Sequence, residues 1–326
     1  MDGVDYLKTY APVAKLVSIR VLFAIAASLD LEIHQMDVVS AFLASKSKEK
    51  IYMELPDGFK ESDMVGLLDK IIYGLKQLAR YFNRRFHDRL LHLGFIQMFA
   101  DPCAYIDLTT GIIIAIWVDD ILLFSTSINA IDAVKKALAE EFSMKDVGEL
   151  AYFLGIQVSR DRANKTIMIR QDGYVNIILE KFQMLDAKPV SILIPHGVKL
   201  VKLDMQEEST MDSRVYQSRV GSLMYAMLCT CPDLAYSVSQ ISQFNNHPTE
   251  EHDAATNRIF KYLCGTTSLG ITFDGKMGLG MGAYSDANWG GEVDRKSVEG
   301  YLFCLAGVVS LGSEEATNGR TFVNGI

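Results

Sequence analysis

The segment GIIIAIWVDDILLFS, residues 111–125, places two adjacent carboxylates, Asp119 and Asp120, inside a run of apolar residues. The apolar run is too short on either side of the acids for a helix, and its isoleucines, valine and aromatic residues favour strands. We therefore predict two strands joined at Asp119 and Asp120 into a β-hairpin. Because burying an unpaired carboxylate costs on the order of several kcal/mol, such acids shift their pKa, pair with a cation or bind a metal ion.

A third carboxylate, Asp37, follows the alternating segment LEIHQMDV, residues 31–38, which predicts a short strand that ends at Asp37. If this strand lies beside the hairpin, three carboxylates meet at one edge of a sheet, which is the outline of a two-metal phosphoryl-transfer site. Mg²⁺ prefers oxygen ligands and typically uses one or two carboxylates together with substrate phosphates. A second interpretation stays open, in which Asp119 and Asp120 are ordinary turn residues, since aspartate favours turns by bonding to its own backbone.

Helices are predicted on both sides of the hairpin. An apolar stripe begins behind Ser18, which we expect to be the N-cap, and a second stripe fills residues 80–93 and ends at Gly94. Asn129 is predicted to cap a third helix. Segments 148–161 and 165–171 have the composition of strands.

We predict an α+β fold in three parts. Residues 1–184 combine helices with antiparallel strands, and residues 185–266 contain a proline-bearing linker followed by three helical patterns. Residues 267–326 carry short strand signals and form a smaller α/β unit.

Composition narrows the class of protein. The chain has 326 residues, of which 49% are hydrophobic and 22% charged, so it is long enough for two domains with apolar cores. Its net charge of −8 gives no overall attraction to polyanions, so contact with nucleic acid requires local basic patches. The five cysteines have no zinc-type spacing, the N-terminus does not resemble a signal peptide, and the apolar runs are shorter than the roughly 20 residues of a membrane span. We expect a soluble intracellular protein with no membrane partner.

Five motifs occur along the first part of the chain. They are HQMDVVSAFL (34–43), IYMELPDGF (51–59), YGLKQ (73–77), WVDDIL (117–122) and GELAYFLGI (148–156). In this order they closely resemble the reverse transcriptase of copia-type long-terminal-repeat retrotransposons.

Four later motifs resemble the segment that follows this polymerase, into its ribonuclease H domain. They are YQSRVGSLMYA (216–226), CPDLAYSVS (231–239), EEHDAATNRIFKYLCGT (250–266) and YSDANWGGEVDRKSVEGYLF (284–303). The resemblance runs from about Gly3 to about Gly312. It implies a polymerase palm with an antiparallel sheet and packed helices, then a helical connection and a partial ribonuclease H-like α/β unit.

The resemblance also implies roles for individual residues. Asp37, Asp119 and Asp120 are implied to be catalytic and to hold two Mg²⁺ ions, for which Mn²⁺ is the alternative. The residues implied to contact the incoming nucleotide are Phe42, which excludes a 2′-hydroxyl, Gln77, which contacts the nucleotide or the template, and Trp117, which stands where the family usually has tyrosine. From the residues alone, the alternatives are a core aromatic for Phe42 and a surface turn residue for Gln77. Phe153, Leu154 and Gly155 are implied to grip the primer end, and Asp286 to be the first metal ligand of ribonuclease H. Apart from the resemblance, the Arg-rich stripe with Arg80, Arg84 and Arg85 suits phosphate contacts that follow a template strand, and a solvated helix face is the alternative.

The implied activity is RNA-directed DNA polymerisation, with deoxynucleoside triphosphates as substrates and an RNA template and a DNA primer as partners. A further implied partner is the remainder of a retroelement polyprotein. The implied location is a cytoplasmic retroelement particle, with the nucleus as a second site.

Departures from the family pattern predict reduced activity. The chain begins just before YAPVA, so the preceding basic fingers region is not in this sequence, and Ala79 replaces a proline of the family. SLGSEEA, residues 310–316, stands where the family has SWSSKKQ, and we do not expect ribonuclease H activity. The alternative to an impaired polymerase is an inactive retroelement remnant with at most residual nucleic-acid or metal binding. A third interpretation is an unrelated palm-type nucleotidyl transferase or cyclase.

Overall fold

The structure is a computed structural model. It describes residues 10–39, 51–55, 58–59, 64–68, 75, 78–195, 197–198, 200–201, 211–288 and 297–317. Contacts divide the chain into two compact units, Met1–Ile19 with Leu31–Leu150 and Arg20–Asp30 with Ala151–Ile326. The fold is mixed α/β with antiparallel sheets, as the sequence predicts. The division into three functional parts stays a prediction.

The first unit is built on a six-stranded antiparallel sheet in the order β4-β5-β6-β7-β1-β8. The elements from the start of the chain to the end of this unit are α1 (Leu16–Leu29), β1 (Glu32–Val38), β2 (Tyr52–Glu54), β3 (Val65–Leu67), α2 (Leu78–His92), β4 (Ile96–Gln97), β5 (Ala104–Ile106), β6 (Ile113–Trp117), β7 (Asp120–Ser125), α3 (Ile128–Ala139) and β8 (Met144–Glu149). Strands β2 and β3 pair separately.

The central hairpin is confirmed, with one correction. Strands β6 and β7 pair from Ile113 opposite Phe124 to Trp117 opposite Asp120. The two-residue turn is therefore Val118–Asp119, and Asp120 is the first residue of β7 rather than part of the turn.

Strand β1 lies between β7 and β8 and is antiparallel to both. Its ladder with β8 contains a β-bulge, because Gln35 is opposite Gly148 whereas Met36 is opposite Asp146. Val147 is the extra residue of β8, and Gly148 has a φ of +90°, which glycine adopts without a steric penalty.

Helix α2 buries the predicted stripe of Phe82, Phe86 and Leu90. Phe82 and Phe86 pack against Phe142, with ring centroids 6.0 Å and 5.0 Å away, respectively. The helix stops as predicted at Gly94, whose φ is +92°.

Two predicted N-caps are wrong. Ser18 lies inside α1, because the Lys15 carbonyl already accepts the Ile19 N–H at 3.1 Å. Helix α3 is capped by Ser127 rather than Asn129, since the Ser127 side chain accepts the Ala130 N–H. Both errors come from apolar spacing, which locates a helix better than its first residue.

The second unit contains a four-stranded sheet, a helical core and a three-stranded sheet. Its elements are β9 (Tyr152–Phe153), β10 (Ile156–Asp161), β11 (Thr166–Arg170), α4 (Asp172–Lys181), α5 (Ser213–Cys229), α6 (Ala235–Ser242), α7 (Glu250–Thr266), β12 (Gly270–Asp274), β13 (Gly282–Asn288), β14 (Ser297–Leu305) and β15 (Val308–Thr317). The sheet orders are β12-β11-β10-β9 and β13-β14-β15. Strand β12, which we grouped by sequence with the last segment, pairs with β11.

Helices α4 to α7 enclose an apolar core that includes Val175, Leu223 and Phe260. The ribonuclease H-like character of the last segment stays a prediction. In the described ranges, no helix combines the length and the apolar character needed to cross a membrane.

Candidate active site

The turn of the β6–β7 hairpin is tight and strained. Val118 has a φ of +53°. This left-handed conformation costs a β-branched residue on the order of 1–3 kcal/mol, and it persists only where surrounding structure enforces it. The turn places Asp119 and Asp120 next to each other at the end of two buried strands.

Strand β1 brings the third predicted carboxylate to this turn. Asp37 is directly opposite Asp120 in the β1–β7 ladder, and the Val38 N–H donates to the Asp119 carbonyl at 3.1 Å. Opposed residues of an antiparallel pair carry their side chains on the same face. The structure therefore brings Asp37, Asp119 and Asp120 together, as the sequence predicts.

Asp37 and Asp120 belong to a row of side chains that crosses four strands. Lys145 of β8 is opposite Asp37 of β1, Asp37 is opposite Asp120 of β7, and Asp120 is opposite Trp117 of β6. The row places the half-buried Trp117 beside the carboxylates. It also adds the exposed cation of Lys145, which the sequence did not indicate because the pairing of β8 with β1 is non-local.

The carboxylates are electrostatically unsatisfied. Asp119 Oδ1 is buried and has no hydrogen-bond partner among the described residues. Burial raises the pKa of Asp119, and the charges of Asp37 and Asp120 raise it further. Burial also raises the pKa of Asp120, an effect that a hydrogen bond from Gln35 offsets in part and the charge of Asp37 reinforces. A cation at this place would relieve the repulsion.

Gln35 is a further polar residue at the site. Its Nε2 donates to Asp120 Oδ1 at 2.8 Å, and its side chain is buried. It lies two residues before Asp37 on β1, and thus on the same face. The sequence gave no reason to select it, because a glutamine in an alternating strand usually faces solvent.

The residues present fit a divalent cation whose remaining ligands come from a substrate. In the part of the chain that the structure describes, no group of three or more histidine, cysteine, aspartate or glutamate side chains is arranged to hold a metal ion. Mg²⁺ commonly takes only one or two carboxylates from the protein, with phosphates and water as the other ligands. The orphaned Asp119 Oδ1 offers a ligand atom, and a bound cation would offset the burial and mutual repulsion that raise the pKa of Asp119 and Asp120.

Phe153, Leu154 and Gly155 form the turn between β9 and β10 in the second unit. Phe153 pairs with Ile156, and both turn residues have positive φ, +51° for Leu154 and +66° for Gly155, which is typical of type I′ hairpins. The Tyr225 hydroxyl donates to the Leu154 carbonyl at 2.6 Å, and burial raises the pKa of Tyr225 to about 12. The hydroxyl thus keeps its proton at neutral pH and holds the turn.

The three predicted template-contacting arginines lie on α2. Arg84 is exposed and Arg80 is half-buried, whereas Arg85 Nε donates to Glu141 Oε1 at 2.9 Å. Arg85 would have to exchange this carboxylate for a phosphate in order to bind nucleic acid.

Phe42 and Gln77 lie outside the described residues. Asp286 is exposed on β13, where it is opposite Gly300 and its Oδ1 accepts the Ala287 N–H at 2.8 Å.

Comparison with known proteins gives concordant matches. A protein-family model described as "Reverse transcriptase (RNA-dependent DNA polymerase)" matches residues 1–196. The retrovirus-related Pol polyprotein from transposon TNT 1-94 of Nicotiana tabacum is 39% identical over 316 residues, which cover 94% of this chain and 24% of that protein. The corresponding polyprotein from transposon RE1 of Arabidopsis thaliana is 36% identical over 310 residues, or 93% of this chain and 21% of that protein.

A transposon Ty5-1 protein of Saccharomyces cerevisiae is 30% identical over 290 residues, which cover 87% of this chain and 93% of the yeast protein. This chain therefore spans nearly the whole of one relative but only 24% and 21% of the two plant polyproteins.

Proposed function

We propose that this chain, which belongs to the reverse transcriptase (RNA-dependent DNA polymerase) family and has retrotransposon Pol polyproteins among its relatives, extends a DNA primer on an RNA template. The observation that carries the proposal is the pairing of Asp37 with Asp120 beside the Asp119 turn. The reaction would be attack of the primer 3′-hydroxyl on the α-phosphorus of a deoxynucleoside triphosphate, with pyrophosphate as the leaving group. Such transfer depends on positioning and charge stabilisation, which an acidic site can provide.

Asp37 and Asp119 would hold two Mg²⁺ ions, or Mn²⁺ as the alternative, and Asp120 would be less directly engaged. When bound, such ions lower the pKa of an attacking hydroxyl and neutralise charge on the leaving group. The chain's own contribution is a fixed arrangement of carboxylates. The strained Val118 turn and the β1–β7 ladder hold Asp119 and Asp37 in place before substrate arrives.

The side chains around the carboxylates would select and orient the nucleotide. Trp117 is paired with Asp120, a position that supports contact with the nucleotide or the primer end. Phe42 would exclude a 2′-hydroxyl by steric contact, and Gln77 would touch the nucleotide or template. Lys145, opposite Asp37, would add a positive charge for the triphosphate.

Primer and template would contact two further segments. The turn at Phe153–Gly155 would grip the primer end, with Tyr225 as its support. Arg80, Arg84 and Arg85 would bind template phosphates, which is a salt-dependent interaction. We propose that the chain acts as part of a retroelement polyprotein in a cytoplasmic particle.

Primer extension tests this function. Labelled deoxynucleotide, an RNA template and a DNA primer are supplied to the purified chain and to Asp119→Asn over a titration of Mg²⁺ and of Mn²⁺. The matched control is Asp132→Asn, which changes an exposed aspartate on α3. We expect extension by the wild type and by the control, and a loss of about a thousandfold in Asp119→Asn, because one group that stabilises transition-state charge contributes on that order.

Absence of extension by the wild type would refute the polymerase proposal. If the wild type nevertheless bound the metal more tightly than Asp119→Asn, the alternative of an inactive remnant with residual metal binding would be supported.

A further inference from the structure

We infer that Gln35 is a positioning residue that holds one oxygen of Asp120 and leaves the other for a cation. The inference rests on the proposed function, since it concerns the same acidic site. It adds to that function a residue outside the three carboxylates.

The geometry places Gln35 where it can act only through Asp120. Gln35 is opposite Leu122. This pair lies on the same face of the ladder as the pair of Asp37 and Asp120, two residues along each strand. Its Nε2 reaches diagonally across the ladder to Asp120 Oδ1 at 2.8 Å. Gln35 is 8% exposed and Leu122 is fully buried, so the amide has little access to water as a substitute acceptor.

The hydrogen bond makes the three carboxylates unequal before any ion binds. Asp120 is held by Gln35, whereas Asp119 Oδ1 is buried without a partner and the Asp37 side chain accepts no hydrogen bond from the described residues. Asp37 and Asp119 can therefore turn toward a cation without loss of a protein contact. Asp120 keeps Oδ1 on Gln35 and presents only its other oxygen to a cation.

A double-mutant cycle on Mn²⁺ binding tests the inference without requiring polymerase activity. Electron paramagnetic resonance of free Mn²⁺ gives the affinity of wild type, Gln35→Met, Asp120→Asn and the double variant. We expect Gln35→Met to weaken binding by about tenfold, because a hydrogen bond to a charged group contributes on that order to an equilibrium constant. In the Asp120→Asn background the same change should have no further effect, since residues that act through one another are not additive.

Two further variants control for folding. Gln35→Asn keeps the amide but is too short to reach Asp120, and should behave as Gln35→Met. Gln171→Met removes a glutamine that is 1% exposed and accepts a hydrogen bond from Thr230 at 2.9 Å in the second unit. It should leave Mn²⁺ affinity unchanged. Urea unfolding of each variant verifies that it is folded.

Two results would overturn the role of Gln35 and leave the proposed metal site standing. One is an unchanged Mn²⁺ affinity in Gln35→Met, and the other is a tenfold loss when Gln35→Met is added to Asp120→Asn. A wild type that binds Mn²⁺ no more tightly than Asp119→Asn would instead refute the proposed metal site. In primer extension, Gln35→Met should raise the Mg²⁺ concentration needed for half-maximal rate and leave the KM for deoxynucleotide unchanged.

Discussion

The two faces of strand β1 carry charged clusters of opposite character. On one face, Asp37 meets Asp120 and the Asp119 turn, and Gln35 alone donates to these carboxylates among the described residues. On the other face, His34 belongs to a network with its own cation. The two clusters are one residue apart along the strand, yet only one of them is internally neutralised.

The neutralised cluster joins β1, α3 and β8. Lys135 Nζ donates to Asp146 Oδ1 at 2.6 Å and lies 2.8 Å from His34 Nδ1, and its side chain is 7% exposed. Burial acts to raise the pKa of Asp146, but hydrogen bonds from Lys135 and Gly148 lower it below its ordinary value. Burial lowers the pKa of His34, and the charge of Lys135 lowers it further.

The difference between the two clusters distinguishes charges that stabilise the fold from charges that a ligand can neutralise. A network whose charges compensate one another stabilises the fold and has no need of a ligand. A cluster whose charges repel destabilises the fold and is relieved by a cation. Substitutions on the two faces should therefore move stability in opposite directions.

The largest expected effect is on the acidic face. Asp119→Asn should lower primer extension by about a thousandfold. At neutral pH it should also raise the free energy of unfolding, because it removes a carboxylate whose pKa is raised by burial and by Asp37. Urea unfolding and primer extension on the same preparation measure both quantities. A fall in stability would mean that Asp119 makes a stabilising contact, which contradicts the distinction between the faces.

On the neutralised face, Lys135→Met should lower the free energy of unfolding by about 2 kcal/mol, because it leaves Asp146 and His34 without their shared cation. The value is below that of a fully buried pair, since the Asp146 side chain is 53% exposed and partly solvated. Urea unfolding measures the change. Lys136→Met, an exposed lysine on the same helix, is the matched control and should have little effect.

Lys145 is a cation on the acidic face, so its substitution tests whether a positive charge there serves nucleotide binding rather than stability. Lys145→Met should weaken nucleotide binding by about tenfold through loss of a charged contact to phosphate. Stability should change little, since the side chain is exposed. Steady-state primer extension gives the KM for deoxynucleotide, with Lys136→Met again as the control. An unchanged KM would place Lys145 outside the nucleotide site.

The smallest effect concerns pH. The folded-state pKa of His34 lies below the unfolded value of about 6.5, so on acidification the unfolded chain is protonated first and stability is lost as pH falls through that value. The charges that face this ring are Lys135, Asp146, Asp132 and Glu32. Asp119 acts in the opposite sense, since its raised pKa means that the folded chain takes up a proton first and gains stability on acidification.

Urea midpoints at about pH 7.5 and about pH 5.5 measure this dependence. His34→Asn should lose less stability than the wild type over this interval, whereas His92→Asn, an exposed histidine of α2, should behave as the wild type. An equal loss in His34→Asn would show that the network does not titrate through His34.

Local patterns predicted much of the fold. The hairpin at residues 113–125 and the stripe of α2 follow from β-branched runs and from helical spacing, both of which act over a few residues. The helix starts at Ser18 and Asn129 were wrong, because a cap depends on the conformation of one residue rather than on a repeated pattern.

The candidate site was only partly predictable for a similar reason. Asp119 and Asp120 are adjacent in sequence, and the motif around Asp37 resembles a known family, so the three acids could be found. Gln35 and Tyr225 are hydrogen-bonded to distant parts of the chain, and Lys145 pairs with a distant strand. Their contacts depend on strand order and register, which no local pattern in one sequence specifies.

Val147, the single extra residue of β8, determines on which face of β1 each charged side chain of β8 lies. Side chains along a strand alternate between faces, so one inserted residue reverses the parity of everything beyond it. With the bulge, Asp146 lies opposite Met36, toward Lys135, and Lys145 lies opposite Asp37. In a regular ladder that kept Val147 and paired it with Met36, Asp146 would instead lie opposite Asp37: a fourth carboxylate would join the acidic site, and Lys135 would lose its counterion. The bulge at Val147 thus keeps the Asp146 carboxylate out of the acidic site and beside Lys135.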